Sequence, residues 1–366
     1  MMNAKLKAFT AILPLALAIA ATAQTPTPTP AKADDDVIKV ESRLVVVPVS
    51  VTDASGQPVL GLKASDFCLS EENRPQTIES IGTADVVPLE IALLFDISAS
   101  TDAMFKFEQD TAAKFLRDVM RPNDRATVFT VGQKGNLVHP RDTAERAMAA
   151  ISTIAPTREQ TAFYDTVREA AEYLNKNAPQ GVRKVMLIIS DGEDTSSEGV
   201  TRAIWNAERK IADGVGGEQL RSIRVKARDG AKVEEQSKVG KALQNADTVF
   251  YSINPAGSSY QLNSISMFGQ QNMQLFADQT GGTAFLPRFL PIDTKNVYEN
   301  ENSVRRNQAM LDQIFRQLAS ELRSQYLIQY YSESDYPVNR YVKLDVGLQN
   351  RPDLRIRARQ GYFVKN

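Results

Sequence analysis

Oxygen-bearing side chains follow an apolar run in the segment DISAS, residues 96–100, directly after residues 89–95. A strand sends alternate residues to the same side, so Asp96, Ser98 and Ser100 are expected to share one side. A carboxylate with two hydroxyls is an all-oxygen donor set, and hard divalent cations such as Mg²⁺ take oxygen ligands in a near-octahedral arrangement. The segment therefore predicts a site for a divalent cation.

Two further segments carry oxygen donors in a similar setting. Thr161 lies in QTAFYD, residues 160–165, and Asp191 lies in SDGED, residues 190–194, immediately after another apolar run. A single D-x-S-x-S motif is more often a solvated loop with capping serines. Its position after an apolar strand, together with the two downstream segments, favours the metal-site interpretation.

The five residues together resemble the metal-ion-dependent adhesion site of von Willebrand factor A (VWFA) domains. Asp96, Ser98 and Ser100 match the first metal loop of that family, Thr161 the second and Asp191 the third, in the same order. The resemblance implies that the hydroxyls contact the cation directly or through water and that the aspartates act mainly through water. It also implies Mg²⁺ or Mn²⁺ in preference to Ca²⁺, with the sixth position left for a carboxylate of a partner.

The elements that must position these residues alternate between apolar strands and amphipathic helices. Strands are predicted at residues 87–95, 126–131, 184–190 and 248–253, and helices at about 102–120, 142–154, 161–177, 200–212, 232–246, 272–280 and 303–322. Such alternation predicts right-handed crossovers and a mainly parallel sheet between two helix layers. Ligands of these sheets bind beyond the carboxyl ends of the strands, where Asp96 and Asp191 are expected to lie.

We therefore expect an α/β fold in which residues 86–324 form a Rossmann-like, three-layer VWFA domain. An insertion at about 213–231 is predicted to be a partner-contacting flap or a surface loop. Residues 38–85 and 325–366 have β character, and each flank is too short for an independent core. We predict that they pair as the two halves of a small β sandwich-like domain that receives the α/β domain as an insertion.

The flanks resemble the bacterial "VWFA-related" proteins described from acidobacteria. The matching stretches are VTD with GQPV and GL in residues 51–62, Asp66 with Phe67, and RARQGY at residues 357–362. In the same region Arg355, Arg357 and Arg359 alternate with apolar residues, which predicts a strand with one basic face. We expect that face to be solvated, with contact to an anionic ligand as the alternative.

The amino-terminal segment has the pattern of an export signal. Residues 1–23 combine Lys5 and Lys7 with an apolar stretch and then Ala-Thr-Ala, as in a cleavable signal peptide. Residues 24–37 are rich in threonine, proline and aspartate, which predicts a disordered tether. No later apolar run reaches bilayer length. We expect a mature chain without a transmembrane segment, located in the periplasm or outside the cell.

Composition excludes several other classes of function. The chain has one cysteine and one histidine, so an internal disulfide and zinc sites built on those ligands are ruled out. Cys68 is expected to be a small buried hydrophobe, and His139 to lie in a loop before Pro140. The formal net charge is −1, with both signs interspersed, which argues against nucleic acid as the partner.

The leading hypothesis is an exported, non-enzymatic module that binds a protein partner through a divalent cation, completed by an Asp or Glu of that partner. One alternative is a VWFA scaffold or assembly subunit whose metal is structural and whose β domain does the binding. A second alternative is a Mg²⁺-dependent phosphatase with Asp96 as nucleophile; haloacid dehalogenase-type phosphatases carry an aspartate where this chain has Ser98. The sequence leaves the partner, the cation and the oligomeric state open.

Overall fold

The computed structural model of the chain describes residues 43–98, 102–157, 159–211, 216–255, 264–290 and 297–365. The expected signal peptide at residues 1–23, the expected tether at residues 24–37 and Ser100 lie outside these ranges. The described residues fall within one unit, Glu41–Asn366. Among them, no helix is both long enough and apolar enough to cross a membrane.

The secondary structure alternates as the sequence predicts. The strands are β1 (Arg43–Thr52), β2 (Phe67–Glu71), β3 (Arg74–Pro75), β4 (Ser80–Thr83), β5 (Leu89–Asp96), β6 (Arg125–Val131), β7 (Gly135–Asp142), β8 (Arg183–Ile189), β9 (Thr248–Ile253), β10 (Ala284–Phe285), β11 (Tyr326–Ser332), β12 (Tyr341–Leu348), β13 (Arg355–Ala358) and β14 (Gly361–Phe363). The helices are α1 (Asp102–Val119), α2 (Ala144–Ile151), α3 (Phe163–Asn177), α4 (Glu198–Glu208), α5 (Gly217–Asn245), α6 (Ser264–Thr280) and α7 (Val297–Ser324).

A six-stranded sheet with the order β10-β9-β8-β5-β6-β7 forms the centre of the α/β part. β5 lies between β6 and β8 and pairs with both in parallel, whereas β7 runs antiparallel along one edge. Every residue of β5 is buried, because helices cover both faces of the sheet. The mainly parallel sheet of the predicted fold class is thus confirmed.

Two helix layers complete the α/β part. On one face, side chains of α1, α2 and α7 pack against the sheet, including Phe115, Ile151 and Leu318. On the other face α3, α4, α5 and α6 contribute Val167, Phe276 and others to a second core. The apolar side chains of α1 recur every three or four residues, which gives the helix one buried face.

Both flanks of the α/β part contribute strands to two antiparallel sheets, with the orders β13-β1-β11-β4 and β14-β12-β2-β3. β1 pairs with β11, where Val47 is opposite Ile328, and β2 pairs with β12, where Leu69 is opposite Val346. Their inward side chains form a third apolar core. The α/β part is therefore inserted in a β sandwich-like arrangement built from both flanks, as predicted; the domain boundaries remain predictions.

Two elements differ from the sequence expectations. His139 lies in β7, an edge strand with register shifts, and not in a loop. Residues 217–231, expected to be an inserted flap or loop, form the first half of α5, while residues 212–215 lie outside the described ranges.

Side-chain orientation in the β sheets also corrects two expectations. Cys68 is exposed and not buried, because Phe67 and Leu69 on either side of it turn into the sandwich core. On the predicted basic face of β13, Arg355 is exposed as expected, but Arg357 packs inward: its Nη2 lies 2.7 Å from Glu321 Oε2, a carboxyl oxygen of α7. The burial of Glu321 makes this contact part of the junction between the sandwich and the α/β part.

Candidate metal centre

Asp96 ends β5 and is buried, with 7% of its surface exposed. Its Oδ1 accepts hydrogen bonds from the backbone N–H of Ser98 at 2.9 Å and from the Ser98 hydroxyl at 2.5 Å. Its Oδ2 accepts a hydrogen bond from the Ser190 hydroxyl at 2.6 Å. Both carboxylate oxygens are thus fixed, one by the first predicted metal loop and one by the residue that precedes Asp191.

Asp191 lies close to Asp96 because the neighbouring strands end level with each other. In the parallel pairing of β5 with β8, Phe95 is opposite Ile189, so the two polar segments leave the sheet side by side. Asp191 Oδ1 accepts a hydrogen bond from the Glu193 N–H at 2.9 Å. Burial, with the charge of Asp96, raises the pKa of Asp191 to about 7, and burial also raises the pKa of Asp96.

Thr161 is buried just before α3, on a loop that is tied to the Asp191 loop. Its N–H donates to the Thr195 hydroxyl at 2.8 Å, and its carbonyl accepts from the N–H groups of Thr195 at 2.8 Å and Ser196 at 3.0 Å. The structure therefore brings the segments carrying Asp96, Ser98, Thr161 and Asp191 to the carboxyl edge of the sheet. Ser100 lies outside the described residues.

The charges of this edge fit a cation. Buried carboxylates are costly unless a cation or hydrogen bonds compensate them. Among the described residues, no lysine or arginine lies within ion-pair distance of Asp96 or Asp191, and burial is the main cause that raises the pKa of each. They also contain no group of three or more His, Cys, Asp and Glu side chains arranged to hold a metal. A cation here would consequently depend on hydroxyl oxygens such as those of Ser98 and Thr161 as well as on the aspartates.

A further carboxyl, Glu108 of α1, is buried near this edge and was not predicted from the sequence. Only 3% of its surface is exposed. Burial and, to a smaller extent, the charge of Asp96 raise the pKa of Glu108 to about 8. Near neutral pH this side chain therefore carries a proton in the metal-free chain and adds little negative charge to the site.

Helix α6 packs against the loop that carries Asp191. Gly192 has a φ of +75°, a conformation that favours glycine. A Cβ atom added to Gly269 of α6 would lie 2.5 Å from the Asp191 carbonyl oxygen. Asn272 donates from Nδ2 to the Gly192 carbonyl at 3.3 Å and accepts from the Tyr164 hydroxyl at 3.1 Å. Close backbone contact and a buried amide thus fix the loop on which Asp191 lies.

Asp194 is a structural residue that connects the Asp191 loop to two helices. It is buried, and it accepts hydrogen bonds from the Tyr164 N–H at 3.1 Å and from the Ser197 N–H at 3.2 Å. These contacts place Asp194 at the starts of α3 and α4. The D-x-x-S spacing with Ser197 is the sequence signal for this role, because a side-chain oxygen at a helix start commonly accepts from backbone N–H groups.

The solved structures to which this chain shows partial similarity include a mussel byssus protein and two pilus proteins. Proximal thread matrix protein 1 from the mussel byssus, with a zinc-occupied MIDAS motif, is 12% identical with a TM-score of 0.41, over 69% of this chain and 50% of that one. The vWF domain of the type V pili tip protein Mfa5 from Porphyromonas gingivalis is 10% identical with a TM-score of 0.39, over 63% and 95%. The PilB minor pilin from Streptococcus sanguinis is 12% identical with a TM-score of 0.39, over 66% and 63%.

This chain spans about half the length of the mussel protein. No protein-family model matches the sequence, and no characterised protein matches it as a relative. With identities of 12% or less and TM-scores of 0.41 or less, these similarities establish neither the family nor the function. The resemblance to the bacterial VWFA-related family therefore stays a prediction.

Proposed function

We propose that the chain is a divalent-cation-dependent, adhesion-type protein-binding module, in which an Asp or Glu of a partner protein completes the coordination of the cation. The observation that carries the proposal is the pair of neighbouring carboxylates at adjacent strand ends, Asp96, which is buried, and Asp191, which is half-buried. Hydroxyl-bearing loops lie beside the pair, and no described lysine or arginine forms an ion pair with either carboxylate. A role in adhesion or assembly is the coarser form of the same proposal.

The residues of this edge would have distinct tasks in holding the cation. Ser98, Ser100 and Thr161 would offer neutral oxygens, while Asp96 and Asp191 would orient them and hold water. A bound Mg²⁺ or Mn²⁺ that keeps much of its positive charge would form a charge-assisted bond with an incoming carboxylate. We propose these two ions in preference to Ca²⁺, and a location in the periplasm or outside the cell.

Calorimetric titration of Mg²⁺ and Mn²⁺ into chelator-treated protein tests the cation site. We expect the wild-type chain to bind and the variants Asp96→Ala and Thr161→Val to lose binding. Asp110→Ala is the matched control, because Asp110 is an exposed acid of α1 whose carboxylate pairs with Lys106. Circular dichroism of each variant establishes that it folds. If wild type and Asp96→Ala respond alike, the proposal fails.

Capture of partners from an envelope extract, with Mg²⁺ or with chelator, tests the binding role. We expect chelator and Asp96→Ala to abolish capture at temperatures where the variant is folded. In the structural-metal alternative, Asp96→Ala lowers the melting temperature but capture follows the folded fraction. The phosphatase alternative predicts turnover of a phosphate ester in the presence of Mg²⁺, which the binding proposal does not.

A further inference from the structure

A cavity of about 480 Å³ lies at the edge of the central sheet opposite to the candidate metal centre. Its lining includes Lys184 near the start of β8, Thr248 at the start of β9, and residues of β1 and β14 from the sandwich. Asp191 follows the other end of β8, a strand's length away, which is roughly 20 Å. The cavity is therefore separate from the cation site, and its volume is in the range of small-ligand pockets.

One wall of the cavity is apolar. Leu44 and Val46 of β1 line it and are 48% and 38% exposed, because the alternating residues Val45 and Val47 occupy the sandwich core. Phe363 of β14 also lines the cavity. Apolar side chains that stay exposed on a concave surface favour a ligand with a hydrocarbon part.

The other lining residues carry an excess of positive charge. The basic residues of the lining are Arg43, Arg183, Lys184, Arg359 and Lys365, and its one acid is Asp247. Arg359 Nη1 lies 2.9 Å from Asp247 Oδ1, and Lys365 pairs with the other oxygen of the same carboxylate. Burial and the charge of Lys365 lower the pKa of Lys184, which has no carboxylate within ion-pair distance in the described chain.

The side chain of Arg359 is held at the cavity lining by two contacts. Its Nη2 donates to the Val46 carbonyl at 2.8 Å, and only 12% of the side chain is exposed. Its Nε is buried without a hydrogen-bond partner in the described structure. An anion in the cavity, on the side away from Asp247, would approach the ammonium of Lys184 and the guanidinium of Arg359, and would balance the excess charge.

We propose that this cavity binds a small amphipathic carboxylate, with its hydrocarbon chain against Leu44, Val46 and Phe363 and its carboxylate between Lys184 and Arg359. The carboxylate supplies negative charge that offsets the excess of basic residues over the one acid of the lining. The hydrocarbon chain removes the exposed apolar wall from water. Such a ligand contacts both the sandwich and the central sheet, so it also stabilises the junction between them.

Decanoate is the probe for this proposal, titrated into the full chain by calorimetry below its micelle concentration. Decanol and decylamine are the matched controls, since they keep the hydrocarbon and replace the carboxylate. We expect decanoate to bind and Lys184→Met to weaken it by about tenfold or more, as the loss of one charge-assisted hydrogen bond implies. Lys176→Met, which changes an exposed lysine outside the cavity lining, should leave the affinity unchanged.

Val46→Glu is the second variant, because position 46 is 38% exposed and tolerates a polar side chain in the folded chain. The added carboxylate should abolish decanoate binding by charge repulsion. This variant tests the proposed carboxylate site even if Lys184→Met fails to fold. The proposal is overturned if decanoate does not bind, or if decanol binds with the same affinity as decanoate. It is also overturned if Lys184→Met and Val46→Glu bind decanoate with the wild-type affinity. Chelator should not change the affinity, which separates this site from the cation site.

Discussion

Replacing Glu108 by glutamine should flatten the pH dependence of stability of the metal-free chain. Glu108 is 3% exposed, and burial raises its pKa from 4.5 to about 8. Below about pH 4.5 the side chain is protonated in both the folded and the unfolded state. Between that pH and about 8 the folded chain keeps a proton that the unfolded chain has released. The free energy of unfolding therefore falls as the pH rises through this window.

The size of the effect follows from the width of the window. One proton bound only by the folded state changes the free energy of unfolding by about 1.4 kcal/mol per pH unit. From about pH 5.5 to 7.5, Glu108 should thus contribute a loss of about 2.7 kcal/mol. Glutamine keeps the shape of a protonated glutamate but has no titrating proton, so the variant should lack this part of the slope.

Urea unfolding in the presence of chelator, followed by circular dichroism at several pH values, measures the slope. The carboxyls of Asp191 and Asp194, with pKa values of about 7 and about 6, add slopes of the same sign. They do so in both proteins, and the difference between wild type and variant isolates Glu108. Glu172→Gln is the control, because Glu172 is an exposed glutamate of α3. Equal slopes for wild type and Glu108→Gln would refute the reasoning.

Three further predictions concern packing and exposure. Gly269→Ala should lower the melting temperature, because the added Cβ would lie 2.5 Å from the Asp191 carbonyl oxygen. The control Gly230→Ala lies in α5 with open space around the added Cβ, and it should raise the free energy of unfolding by about 1 kcal/mol. Arg357→Met should cost on the order of 3 kcal/mol in urea unfolding, because it leaves the buried carboxylate of Glu321 without its cation; an unchanged midpoint would contradict this. The Cys68 thiol should react with Ellman's reagent in the folded chain, and a reaction seen only in denaturant would show the residue to be covered.

The central sheet and the place of the candidate site follow from local sequence patterns. β5 and β8 are mainly apolar, since parallel strands covered on both faces bury nearly all of their side chains. The carboxyl ends of parallel strands lie at the same edge of a sheet, so the sequence alone predicts that Asp96 and Asp191 are close together. β7 was not predicted because it is an edge strand of mixed polarity that contains Pro140.

The remaining features depend on contacts between distant parts of the chain. The first half of α5 has few buried side chains and therefore little apolar periodicity; one of its contacts is the ion pair of Arg224 with Glu208 of α4. Ser190 and Glu108 gain their roles only from the neighbourhood of Asp96, which no spacing in the sequence encodes. The inward turn of Arg357 likewise depends on Glu321, which belongs to another element.

The pairing of the two flanks has a consequence for the order in which the polypeptide acquires its structure. The hydroxyl of Tyr362 donates to Glu71 at 2.7 Å, and the two residues are 291 positions apart. During synthesis the α/β part can mature as soon as its last helix is available, but the valine-rich first strand must wait for its neighbours from the opposite flank. Contacts of such long range slow folding. Until these contacts form, the unpaired edges of β1 can promote aggregation. The last residues of the chain must therefore be synthesised and pair with β1 before aggregation begins.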